Sequence, residues 1–143
     1  MANDRPHGRF LAAEAADLVG VSGTTIGQWA RRGYISASRS TGDPHVYSLE
    51  DVAEAWVVHA LLERGVSHAA VRRTIAALRD RGAWPLLRAA LATTDADAPE
   101  IVLCENGGAY ALSGRGWQRL AVAPRLTEIP RPELIARASA ARP

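Results

Sequence analysis

A chain of 143 residues with 48% hydrophobic content can hold one ordinary domain, or a small domain with a substantial appendage, and it supplies enough apolar side chain for a core. Its single cysteine, Cys104, excludes an internal disulfide and a cysteine cluster for metal. The formal charge of +2 is too small to declare a nucleic-acid partner by itself.

Distribution says more than the total. All 17 basic residues are arginine, and residues 21–48 carry Arg31, Arg32 and Arg39 against Asp43 alone, so this stretch matches the formal charge of the whole chain. The lack of lysine in an alanine-rich chain follows from base composition and carries no functional weight. No run of about 18 apolar residues is available to cross a bilayer, and the opening MANDRPHGRF lacks the apolar segment of a secretory signal, so a cytoplasmic protein is expected. Cys104 reads as a small buried hydrophobe.

In chain order, FLAAEAADLV over residues 10–19 predicts a short helix with Leu11, Ala15, Leu18 and Val19 on one face and Glu14 and Asp17 outward. Gly20 can close that helix in the left-handed conformation, Val21 can plug a core, and Ser22 can cap the next helix. The second helix runs from about Gly23 to Arg32, with Ile26 and Trp29 turned inward, and Gly33 stops it. Two helices joined so tightly form a helix-turn-helix, whose second helix projects from the body of the domain. Residues 33–47 place Tyr34 and Ile35, then Val46 and Tyr47, around a polar tip, which predicts a hairpin or wing. Ser48 and Asp51 resemble a capping box at the head of a third helix that Gly65 ends, with Leu49, Val52, Trp56 and Ala60 as its inward stripe. Ser67 caps a fourth helix with Val71, Ile75 and Leu78 buried, and Gly82 ends it.

This order, carried by AAEAADLVGVSGTTIGQWARRGYI, a wing closing in YS, the helix start LEDV and ALLERGVSHAAVRRTIAAL, resembles the DNA-binding domain of MerR-type regulators, including the small BldC-like forms. The resemblance covers residues 10–82, a little over half the chain. It implies a mainly α fold with small β: a winged helix-turn-helix at 10–82, preceded by a tail at 1–9 and followed by a C-terminal region at 83–143. Two departures stand out. Gly27 occupies the place after TI where such regulators commonly carry a basic residue, and His45 or Val46 replaces an arginine of the wing. Both changes remove phosphate contacts and bear on affinity more than on fold.

Beyond residue 82 the pattern changes. AWPLLRAALATTDADAPE contains Pro85 and then a polar, acidic linker ending at Pro99, with no long pairing helix. EIVLCENGGAYALSGRGW reads as two strands joined around Asn106, Gly107 and Gly108, and QRLAVAPRLTEI as one more strand. Residues 132–140 predict a terminal helix beginning near Pro132. Trp84, Tyr110 and Trp117 read as a small core, with a ligand pocket as the other reading. This region resembles the C-terminal part of VapB-type antitoxins that carry a MerR-like reader.

Base reading requires side chains that reach base edges and others that grip phosphates. On the second helix Thr24, Thr25 and Gln28 are the candidates for bases. Arg31, Arg32 and the wing's Arg39 are the candidates for phosphates, joined by His45 and Tyr47 on the wing's returning arm. The four histidines, His7, His45, His59 and His68, are scattered without metal-ligand spacing, and no phosphate-cradling glycine loop occurs, so neither catalysis nor a cofactor or metal is expected. The expected function is that of a transcription regulator, associated with the nucleoid and bound to double-stranded DNA as a homodimer. Two alternatives remain: an antitoxin that grips a toxin through residues 83–143 and represses its own operon, and a protein-interaction module that has lost DNA.

Overall fold

The computed structural model describes residues 10–36, 46–114, 116–121 and 124–129. It divides into two compact units that meet within one helix, the first ending at Trp56 and the second running from Val57 to Pro130.

In the first unit, Phe10 and Tyr47 exchange two backbone hydrogen bonds of 2.8 Å each and form a single antiparallel bridge. Helix α1 spans Ala12–Val19, and α2 spans Gly23–Arg31. The carboxylate of Glu14 reaches back 2.9 Å to the amide of Leu11 and secures the start of α1. Gly20, at φ +96°, closes it with its amide 2.7 Å from the carbonyl of Ala16. Ser22 then caps α2, accepting the Thr25 amide at 3.1 Å. The three-residue turn brings the helices close: a methyl group at Gly23 would lie 3.7 Å from the backbone of Ala13. The sequence reading of α1 is corrected in one respect. The buried stripe of α1 is Ala15, Ala16 and Val19, whereas Leu11 is 44% exposed and Leu18 only half-buried. Alanine and valine make up the buried stripe, and Leu11, at the helix entrance, is left outside.

Helix α3 spans Leu49–Glu63 and runs from the first unit into the second. Its predicted capping box is formed: the Ser48 amide donates to the Asp51 carboxylate at 2.8 Å, and the Asp51 amide donates to the Ser48 hydroxyl at 3.0 Å. Residues 51–55, 57 and 58 are all buried, so this helix is covered on every side rather than along one stripe. Trp56 and Ala60, expected in the core, are half-buried. The core of the first unit comprises Phe10, Ile26, Trp29, Tyr34, Ile35 and Tyr47 with the aliphatic start of α3.

In the second unit, α4 spans His68–Leu78 behind its Ser67 cap and buries Val71, Ile75 and Leu78, as predicted, and Thr74 beside them. A 3-10 turn at Arg79–Arg81 and a short helix α5 at Pro85–Arg88 follow. The rest is an antiparallel sheet of β1 (Leu91–Thr94), β2 (Ile101–Glu105), β3 (Gly108–Ser113), β4 (Gly116–Arg119) and β5 (Leu126–Glu128), in the order β4-β3-β2-β1-β5. The predicted hairpin joins β2 to β3, with Asn106 at φ +53° and Gly107 at φ +74°, the two left-handed residues that a tight two-residue connection needs. The region read as a linker supplies α5 and β1 instead, and β1 pairs on both sides, Leu91 with Leu103 and Ala92 with Glu128. Leu91, Ala92 and Thr93 are all buried. A strand covered on both faces shows no alternation, and the acidic run at 95–100 that follows it disguised it further.

Arg64, just past α3, fastens the edge strand β5. Its guanidinium donates to the carbonyls of Thr127 at 2.8 Å and Glu128 at 2.9 Å, and to the hydroxyl of Thr93 at 3.2 Å. Cys104, expected to be buried, is half-exposed on β2, and partial burial pushes its thiol above the usual range. Trp84, Tyr110 and Trp117 are each half-buried. The predicted helix at 132–140 lies outside the described residues.

Candidate nucleic-acid interface

Helix α2 presents two unlike faces because its apolar and polar side chains alternate at helical spacing. Ile26 is fully buried and Trp29 is 4% exposed, as their spacing predicts. On the opposite side Thr24, Gln28, Arg31 and Arg32 are all exposed. Residues four apart stack on one helical face, so Thr24 and Gln28 lie above one another toward the N-terminal half, and Gln28 and Arg32 continue the row.

The positive end of this face is unneutralised. No acidic residue lies in the first turn of α2, Arg31 closes its last turn, and neither Arg31 nor Arg32 enters an ion pair among the described residues. Exposed guanidinium groups without internal partners remain free to take phosphate oxygens in a forked, two-point contact. On the α1 side of the turn, Glu14 and Asp17 are exposed, and Glu14 is spent on the Leu11 amide.

Gly27 lies on α2 directly before Gln28 and one turn before Arg31. A methyl group there would meet only the guanidinium of Arg31, at 3.6 Å, and the glycine is not held in a left-handed conformation. Nothing in the backbone requires glycine at this position.

The other candidate residues fall differently. Thr25 is half-buried, and its hydroxyl is hydrogen-bonded to the Ser22 hydroxyl at 2.9 Å, so it serves the helix cap. Tyr47 is 1% exposed and presents no surface to an outside partner. Its phenol is held above its ordinary value by burial first and by the Asp51 carboxylate second, against the opposing charge of Arg31. Arg31, at the end of α2, thus acts electrostatically on Tyr47, on the arm predicted to return from the wing. Arg39 and His45 lie outside the described residues. Sequence reasoning missed the Phe10–Tyr47 bridge, which anchors the chain just ahead of α1 to the same arm. The aromatic residue immediately before the first helix was the available signal, but it was read as the helix start.

Among the described residues there is no group of three or more His, Cys, Asp or Glu side chains that could hold a metal ion, and no helix is long and apolar enough to cross a membrane.

No curated protein and no solved structure matches the chain. The family described as MerR HTH family regulatory protein matches residues 11–78, just under half of the 143. The matched segment begins at the head of α1 and stops at the last residue of α4, so it takes in the helical elements through α4 and none of the sheet. Residues 11–78 are therefore a helix-turn-helix domain of the MerR type.

Proposed function

We propose that this chain is a sequence-specific transcription regulator that inserts α2 into the major groove of double-stranded DNA. In this reading Thr24 and Gln28 meet base edges, Arg31 and Arg32 hold phosphates on the adjacent backbone, and the wing with Arg39 and His45 lies along the neighbouring strand. The observation that carries it is the outer face of α2, where four polar or cationic side chains are exposed and neither guanidinium group has an ion pair among the described residues. The family match, whose printed description is that of a helix-turn-helix regulatory protein, supports the same reading. Tyr47 is reassigned to the core as the fixed foot of the wing, and Thr25 to the cap.

One reader of this size buries roughly 600–1,000 Å² of its surface on DNA, too little for tight binding alone, so two copies on a repeated or inverted site complete the proposal. Residues 83–143 form the third domain in this scheme, with residues 1–9 as a tail and 10–82 as the reader. The protein acts in the cytoplasm, on the nucleoid.

The experiment is operator selection from random DNA with the full chain, followed by Gln28→Ala. The expected variant still binds but loses preference at one position of each half-site, a loss of about 1–3 kcal/mol of discrimination. An unchanged position-by-position preference would remove Gln28 from the interface. A chain that shifts no fragment of its own genome but retains a stoichiometric protein partner would replace DNA reading with the protein-interaction alternative, and a small toxin as that partner would make it an antitoxin.

A further inference from the structure

We propose that the second unit carries a binding site for a small aliphatic α-amino acid, taken as its zwitterion, in the cleft beside the first half of α4. The cleft has a volume of about 250 Å³ and lies against α4, the loop before β2 and strand β3. This falls just below the roughly 300–1,000 Å³ of drug-sized pockets, which suits a metabolite of few heavy atoms.

Three features select the ligand. Arg73 and Glu100 both line the cleft, and neither makes an ion pair or a side-chain hydrogen bond among the described residues, so one cationic and one anionic group face the same space without neutralising each other. Ile101 and Leu112 add apolar surface to the same lining, and Ala70 and Ala111 bring only a methyl group each. A guanidinium takes a carboxylate in a two-point contact, a carboxylate takes an ammonium, and an aliphatic body covers the apolar wall. A simple carboxylate would leave Glu100 facing an anion, and a simple amine would leave Arg73 facing a cation. The zwitterion satisfies both.

The backbone that carries the two charged residues is held in place. The Ser67 cap fixes the head of α4, which carries Arg73 two turns later. Glu100 is pinned by its amide to the Thr94 hydroxyl at 2.9 Å and by its carbonyl to the Thr94 amide at 3.0 Å. Gly65 lets the loop approach: its φ is +98°, and a methyl group there would lie 3.5 Å from the Pro99 ring. This inference is independent of DNA reading, since every residue it uses lies in the second unit.

Titration calorimetry of the full chain with L-leucine tests it. Saturable binding with a dissociation constant below about 1 mM is expected, and 4-methylpentanoate and 3-methylbutylamine, which lack one charge each, should bind at least about tenfold more weakly. Arg73→Gln and Glu100→Gln should each weaken L-leucine by about tenfold or more while leaving the melting temperature unchanged, because both side chains are exposed. Ala70→Leu, which fills the cleft with a good helix former, should abolish binding. No saturable binding of L-leucine overturns the proposal, full binding by both charge variants overturns the recognition mode, and full binding by a folded Ala70→Leu chain overturns the location.

Discussion

Arg31→Ala offers the sharpest measurement of how α2 meets its target. The guanidinium is exposed, lacks an ion pair among the described residues and closes the last turn of α2. Its removal should therefore cost the fold no more than about 0.5 kcal/mol. On DNA the effect is larger and has a distinctive form. Each phosphate neutralised contributes about 0.9 to the slope of log affinity against log salt, so one lost contact per protomer, doubled in a dimer, flattens that slope by about 1.8. Between about 50 and 200 mM salt, a fourfold change, the variant should lose about twelvefold less affinity than the parent. Removing Arg32 as well doubles the change in slope to about 3.6, or about 150-fold over the same range. Fluorescence anisotropy on one labelled operator across a salt series reads both slopes directly. A variant with reduced affinity but the parent's slope would show that Arg31 acts through the helix or through bases, and would refute its assignment to phosphate.

Gly27→Ala should stabilise the first unit by about 0.5–1 kcal/mol in urea unfolding, since the helix interior loses its most flexible residue and the added methyl has space. Gly27→Arg should in addition strengthen binding at low salt and steepen the salt slope by about 0.9 per protomer, read by the same anisotropy series. Arg64→Met keeps the aliphatic stem but removes three hydrogen bonds, and should cost about 2 kcal/mol in urea unfolding with the largest loss of hydrogen-exchange protection at the Ile129 amide, which bonds to Leu91 across β1 and β5. Because Tyr47 is held above its ordinary 10.0, the folded chain keeps a proton that the unfolded chain gives up. That contribution to stability is complete below about pH 10 and fades as pH rises through the folded value. Stability curves from about pH 9 to about pH 11 should therefore fall more steeply in the parent than in Tyr47→Phe.

Legibility in the sequence followed the range of the interactions. Ser22, the Ser48–Asp51 pair and Ser67 could be read because a cap is a hydrogen bond to a residue three positions away, and each forms as expected. The turn at Asn106 and Gly107 was equally legible, since a left-handed backbone limits which residues can serve. Burial of Ile26 and Trp29, and the exposure of Thr24, Gln28, Arg31 and Arg32, followed from period alone. What failed was long-range. Strand β1 is defined by partners on both sides rather than by its own pattern, and Leu11 was misjudged because helical spacing alone does not show that it is the helix cap, left exposed while Ala15, Ala16 and Val19 are buried. The bond from the Thr25 hydroxyl to Ser22 and the burial of Tyr47 likewise depend on side-chain placement that helical spacing does not encode.

The position of β1 has a consequence during synthesis. Of its two neighbours, β2 follows after a short loop, but β5 is the last of the described strands to leave the ribosome, so a nascent chain that has finished β1 through β4 still lacks this partner along one row of β1 amides and carbonyls. Such a row invites strand addition by any extended peptide. At about 5–20 residues per second the interval is brief, but a stalled or prematurely stopped message ending before residue 126 would yield a product whose sheet stays open at its most buried strand. Chains of that length should accumulate in the insoluble fraction, whereas those ending past residue 129 should not.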